Sequence, residues 1–214
     1  MHIEFLVEDQ SGKVLLEKLI PKILGEQGCP HTWNLHSYKG IGHISKNLNH
    51  QADPAKRILL DRLPRILKGY GRTPGYDAVV IILDSDRRNC QEFLQELKDL
   101  LQTLNPAPKT TFRLAIEEME AWYFGDRAAL LKAYPRAKKG ILEQYEQDSI
   151  CGTWELLADA IHTGGSAALP NFALAGKAKS EWAEHIGEHM SLENNQSPSF
   201  MKFCDGVKRL TGAT

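Results

Sequence analysis

Cysteine is scarce and scattered: the four in this 214-residue chain, Cys29, Cys90, Cys151 and Cys204, form no C-x-x-C pair. That excludes a zinc ribbon and a dithiol redox motif, and reduced thiols in the cytoplasm are the expected state. No apolar run approaches the roughly 20 residues that cross a bilayer, and the N-terminal HIEFLV meets acids at once, so neither a membrane span nor a signal peptide is expected. An excess of one charge is also missing. With 26 Lys and Arg against 27 Asp and Glu, no global field draws the protein to polyanions, so nucleic-acid contact must come from local patches. There is no internal repeat, no low-complexity tract and no G-x-x-x-x-G-K-[ST] loop, which removes the P-loop route to phosphate.

What the chain does have is the stretch AVVIILDSDRRNC, residues 78–90, where an unbroken apolar run stops at Asp84 and Asp86. Such a run reads as a strand buried on both faces, as in parallel sheets covered by helices. Two carboxylates i and i+2 at its carboxyl end can reach one hard cation; solvated turn formers would leave the same letters. HIEFLV (2–7) is a first strand ending at Glu8 and Asp9. A helix follows Ser11-Gly12 on the stripe Val14, Leu15, Leu19, Ile20, Ile23 and Leu24, with Pro21 expected to kink or divide it and Gly25 and Gly28 to stop it. Residues 31–38 form a weaker strand that runs into Lys39-Gly40-Ile41-Gly42, readable as a phosphate-approaching loop or a plain tight turn.

From Asp53 to Arg72 a helix carries Lys56, Arg57, Arg62, Arg65, Lys68 and Arg72 against only Asp53 and Asp61. This is either a solvated face or the lining of a polyanion groove. Residues 89–104 are an amphipathic helix, and TFRLAI (111–116) is a fourth strand followed by Glu117, Glu118 and Glu120. Three strands thus end in acids. Alternation with helices predicts an α/β fold with a parallel sheet of about four strands, so these carboxylates share one edge. Gathering that much like charge calls for a divalent cation. Beyond Asp126 the strand signal fades, which divides the chain into an α/β domain (1–126) and a helical extension (127–214) packed on it, with Trp154 and Trp182 as packing residues. His185, Glu188 and His189 spell H-x-x-E-H, but only 25 residues follow to supply a third zinc ligand and Gly187 weakens the helix; a surface helix is the simpler reading.

The motif order resembles the Toprim domain of topoisomerases, primases and nucleases of the overcoming-lysogenization-defect type. That fold carries a glutamate after its first strand, matched by Glu8, and a D-x-D after a later one, matched by Asp84 and Asp86. More closely, V-E-D-Q-S-G, Y-K-G-I-G, I-L-D-S-D-R-R-N-C, A-I-E-E-M-E-A-W and N-N-Q-S-P-S-F together resemble a prokaryotic Toprim-like family catalogued as domain of unknown function 4276, over nearly the whole chain. The resemblance implies one or two Mg²⁺ ions, with Mn²⁺ as a substitute, on Glu8, Asp84 and Asp86, completed by Glu118 or Glu120. Lys39, Arg87 and Arg88 are the candidates to clamp phosphate. A metal-dependent nuclease or related phosphoesterase is expected. A non-catalytic subunit of a defence or repair system, holding nucleic acid or a partner protein, is the alternative, and small-molecule phosphotransfer a third.

Overall fold

A computed structural model describes residues 1–43 and 58–212. Strands β1 (His2–Val7), β2 (Thr32–Ser37), β3 (Ala78–Asp84) and β4 (Thr110–Ala115) form one all-parallel sheet in the order β2-β1-β3-β4. The crossovers are α1 (Gln10–Leu24), α2 (Leu59–Arg72) and α3 (Cys90–Gln102). The central strands read as continuous apolar runs because both their faces are covered. On one face, Phe5, Val80 and Ile82 pack with Leu15, Leu16 and Leu19 of α1. On the other, Leu6, Ile81 and Leu83 meet Leu63 and Leu67 of α2 and Leu97 of α3.

α1 runs unbroken through Pro21. The proline gives up one amide bond in the last turn, yet Ile20, Ile23 and Leu24 are packed into the core and carry the helix on to Gly25, whose N–H caps the Pro21 carbonyl at 3.0 Å. Of the basic helix expected from Asp53, the described part starts at Leu59 after an extended Ile58 and keeps Arg62, Arg65, Lys68 and Arg72; Asp53, Lys56 and Arg57 lie outside the described residues.

After β4 the chain is helical: α4 (Ala121–Gly125), α5 (Arg127–Ala133), α6 (Lys139–Gln144), α7 (Thr153–Ile161), α8 (Phe172–His189) and α9 (Pro198–Thr211). Trp122, Trp182, Phe200 and Phe203 join the same core as Ile3 and Phe5. α8 lies along α1 because Gly187 lets the helices close: a Cβ there would stand 3.0 Å from Leu15 Cδ1. The residue that weakens a zinc-binding helix therefore has a packing role. His185 points outward with Nδ1 3.2 Å from the Tyr134 hydroxyl, and among the described residues no group of three His, Cys, Asp or Glu is placed to hold a metal. Nor is any described helix long and apolar enough to cross a membrane.

Candidate active site

The strand order reverses between β1 and β3, since the chain leaves β1 toward β2 and returns on the other side as β3. In open α/β sheets the crevice at such a switch point, outside the carboxyl ends of the strands, is where ligands bind. Glu8 and Asp84 flank this crevice. The Asp84 amide lies 3.4 Å from Glu8 Oε2, so the two acids share one rim.

The third acid group is fastened to the D-x-D turn by backbone bonds. Ser85 N donates to Ala115 O (2.9 Å), Glu117 N to Ser85 Oγ (2.8 Å), Asp86 N to Glu117 O (2.9 Å) and Met119 N to Asp84 Oδ1 (3.0 Å). Both Asp86 (φ 48°) and Glu117 (φ 56°) adopt the left-handed region, which non-glycine residues rarely occupy unless their surroundings hold them there. The turn thus sets Asp84 inward and leaves Asp86 exposed at the rim. Gly12 at the start of α1 permits the close approach: a Cβ would sit 2.6 Å from Val7 Cγ2 and 2.9 Å from Met119 Sδ. Gly12→Val is therefore expected to cost about 1–3 kcal/mol by overpacking, read by urea denaturation; an unchanged midpoint would refute the close fit.

Glu118 and Glu120 come to the site, but Glu117 does not. Its carboxylate accepts from the backbone of Cys151 (3.1 Å), Gly152 (2.9 Å) and Thr153 (2.9 Å) and from the Thr153 hydroxyl, at the start of α7. Burial alone would raise its pKa, but these bonds outweigh it and hold the carboxyl below its usual range. Glu117→Ala is expected to destabilise the fold by about 1–3 kcal/mol, since the α7 donors lose their acceptor; an equal stability in a urea titration would refute that role.

The group that sequence reading missed is Lys179 of α8. Its Nζ lies 3.2 Å from Glu120 and 3.8 Å from Glu118. Burial alone would push its pKa down, yet Glu120, Glu118, Asp84 and Asp9 reverse that and raise it, so it stays protonated. One partly buried ammonium faces several carboxylates. Burial, with Asp86 and Asp9, pushes Glu8 up to about 7; burial, with Glu120, pushes Glu118 up to about 8. Asp84 is raised by burial, Glu8 and Glu120, and Glu120 chiefly by burial.

Glu4, buried in mid-strand, provides the contrast. Asn34 Nδ2 (2.9 Å), Tyr70 Oη (3.1 Å) and the Nε2 atoms of His2 (2.8 Å) and His36 (2.5 Å) surround it. Burial opposes ionisation, yet Asn34, His2 and His36 hold its pKa low. A buried carboxylate meant only for structure is provided with donors. Those at the switch point have fewer, one backbone amide each on Glu8, Asp84 and Glu118 and the shared Lys179 ammonium, and the negative charge left over is what a cation would relieve.

Of the expected phosphate clamps, Lys39 is exposed on the loop whose Gly40 N–H donates to Glu8 O (3.1 Å), and Arg87 is exposed beside Asp86. Arg88 is partly tied down, with its guanidinium 4.6 Å from the Phe93 ring centre and Nη2 3.5 Å from Gly42 O.

A family model described as Domain of unknown function (DUF4276) matches residues 7–208, and the chain belongs to that family. The match spans Glu8, the D-x-D turn and Lys179. No curated protein and no solved structure matches the chain.

Proposed function

We propose that the chain is a Mg²⁺-dependent phosphodiester hydrolase acting on nucleic acid, with Glu8, Asp84, Asp86, Glu118 and Glu120 as its acidic centre. The observation that carries this is the convergence of under-compensated carboxylates from three strand ends on the switch-point crevice. The donor set suits a hard cation, being all oxygen, and the raised carboxyl pKa values are those a divalent ion would lower. As they stand, no three are gathered as ligands among the described residues, and Lys179 engages Glu118 and Glu120. A bound ion would polarise a phosphodiester oxygen and lower the pKa of an attacking water.

The residues themselves supply the rest. Glu8, at the end of β1 beside Asp84, stands where it can take up or release a proton next to a scissile bond. Lys179 holds Glu118 and Glu120 in place and offsets their charge. Lys39 and Arg87 stand on the rim where phosphate arrives. The Toprim-like reading of the fold, and a cytoplasmic setting, belong to this proposal.

One observation favours a second reading, a metal-free subunit that binds nucleic acid or a partner protein: Lys179 already occupies the position of a counter-ion. The two are separated by incubating the protein with plasmid, single-stranded DNA and RNA in Mg²⁺, Mn²⁺ or EDTA. Hydrolysis requires metal-dependent cleavage that Asp84→Asn with Asp86→Asn abolishes. Salt-sensitive binding without cleavage in any metal would favour the second.

A further inference from the structure

We infer that the groove along β4 is a binding track for a polynucleotide strand, with Arg113, Lys202 and Arg209 contacting its phosphates; this rests on the hydrolase reading and extends it. The groove, about 430 Å³, lies between α3 and α9, with Leu94, Leu114 and Ile116 among its apolar lining. β4 is an edge of the sheet. Lys109 and Ala115 turn their carbonyls to β3, so by alternation Phe112 and Leu114 turn their backbone groups outward into the groove.

Cations near an open edge have an ordinary use, since they discourage pairing with another strand. Exposed lysines suffice for that. Arg113 is different because it is half-buried and built in. Its Nε donates to Lys202 O (2.8 Å) and Nη1 to Phe112 O (2.7 Å), and Gly206 leaves the space that its guanidinium fills. Both partners are neutral carbonyls, and no ion pair among the described residues includes Arg113, Lys202 or Arg209. Burial and the nearby Arg209 both lower the Arg113 pKa and Asp205 opposes them only in part, so positive charge is concentrated there with no carboxylate at ion-pair distance among the described residues. Desolvating a charge without a counter-charge is costly, and an arriving anion removes that cost. The one acid in the lining, Asp148, is spent on Ser197 Oγ and Ser199 N, each at 2.7 Å.

Position decides the class of anion. Ile116 at the end of the groove directly precedes Glu117, whose carbonyl accepts the Asp86 amide, so the groove opens at the rim of the acidic centre. That centre repels polyanions, and the attraction that brings a strand to it must be supplied beside it. From Phe112 to Ile116 the track spans roughly 13 Å at about 3.3 Å per residue, long enough to pass a strand rather than a single phosphate.

The test is fluorescence anisotropy of a labelled oligothymidylate across a salt series in EDTA, where no metal supports cleavage. The triple variant Arg113→Ala, Lys202→Ala, Arg209→Ala is expected to flatten the slope of log K against log salt by about 2, at about 0.7 per phosphate contact, and to weaken binding at least about tenfold at low salt. The pair Lys202→Ala, Arg209→Ala, both exposed, guards against misfolding and is expected to flatten it by about 1.4. An unchanged slope in both variants overturns the inference. So does displacement by polyglutamate from a groove that binds no oligonucleotide, which would assign it to an acidic protein segment. Hydrolysis of bis(p-nitrophenyl) phosphate by the wild-type protein with Mn²⁺ reports the acidic centre alone. Hydrolysis with an unchanged slope sinks the track but not the centre; a flattened slope without hydrolysis sinks the centre.

Discussion

Lys179→Met is expected to lower the stability of the protein by up to about 3 kcal/mol at pH 8, because removing one partner of a largely buried charge set leaves the others uncompensated. Glu118 and Glu120 lose their ammonium at 3.8 and 3.2 Å. The loss is expected to shrink at pH 5. Glu8 and Glu118 have folded pKa values raised from 4.5 to about 7 and about 8. Stability linked to a raised carboxyl is fully present below its unfolded value and is lost as pH rises through the folded one. Below pH 5 these groups carry their protons and need no counter-ion. Urea denaturation of both proteins at pH 5 and pH 8 measures this, and an equal deficit at the two pH values would contradict the charge balance described for the site.

Under the proposed hydrolase function, Asp84→Asn is expected to lower phosphodiester hydrolysis by about a hundredfold to a thousandfold or more, while stability at pH 8 rises by about 1–2 kcal/mol. The amide keeps an oxygen for the Met119 N–H, so the local turn is retained. What it removes is a carboxylate whose pKa is driven up by burial, Glu8 and Glu120. A structural aspartate would behave in reverse, with its loss weakening the fold and leaving turnover intact. Steady-state cleavage with Mn²⁺ and a thermal melt at pH 8 read both quantities, and a variant that is active or less stable would remove Asp84 from the role assigned to it.

Much of this was legible in the letters because three of the four strands are short, largely apolar runs closed by acids. β3 declares itself by burial on both faces, and Glu8 and Asp84 follow from the rule that parallel strands share a carboxyl edge. Backbone routing was not legible. Nothing in E-E-M-E says that Glu117 turns to the start of α7, that Glu118 lies between the Trp154 amide and Lys179, and that Glu120 turns to Lys179; that depends on a left-handed φ at Glu117 and on where α7 lies. Lys179 left a trace. It stands with Ala175, Ala178, Trp182, Ala183 and Ile186 on the packed stripe of α8, and a lysine on such a stripe requires acids opposite. The stripe names the need but not the partner, which comes from the tertiary path of α8. Pro21 does not divide α1 for a related reason: core packing of its neighbours outweighs one lost amide bond.

The most direct test of the claim that acids from three strand ends make one divalent-cation site is a Mn²⁺ titration followed by thermal denaturation at pH 8 and pH 5.5, on the wild type and on Asp84→Asn with Asp86→Asn. At about a hundredfold excess over Kd the wild type gains about 2.7 kcal/mol, or roughly 5–10 °C, at pH 8. The gain shrinks at pH 5.5, where protons compete for Glu8 and Glu118, and vanishes in the double variant. No rise at either pH, or the same rise in the double variant, would contradict it.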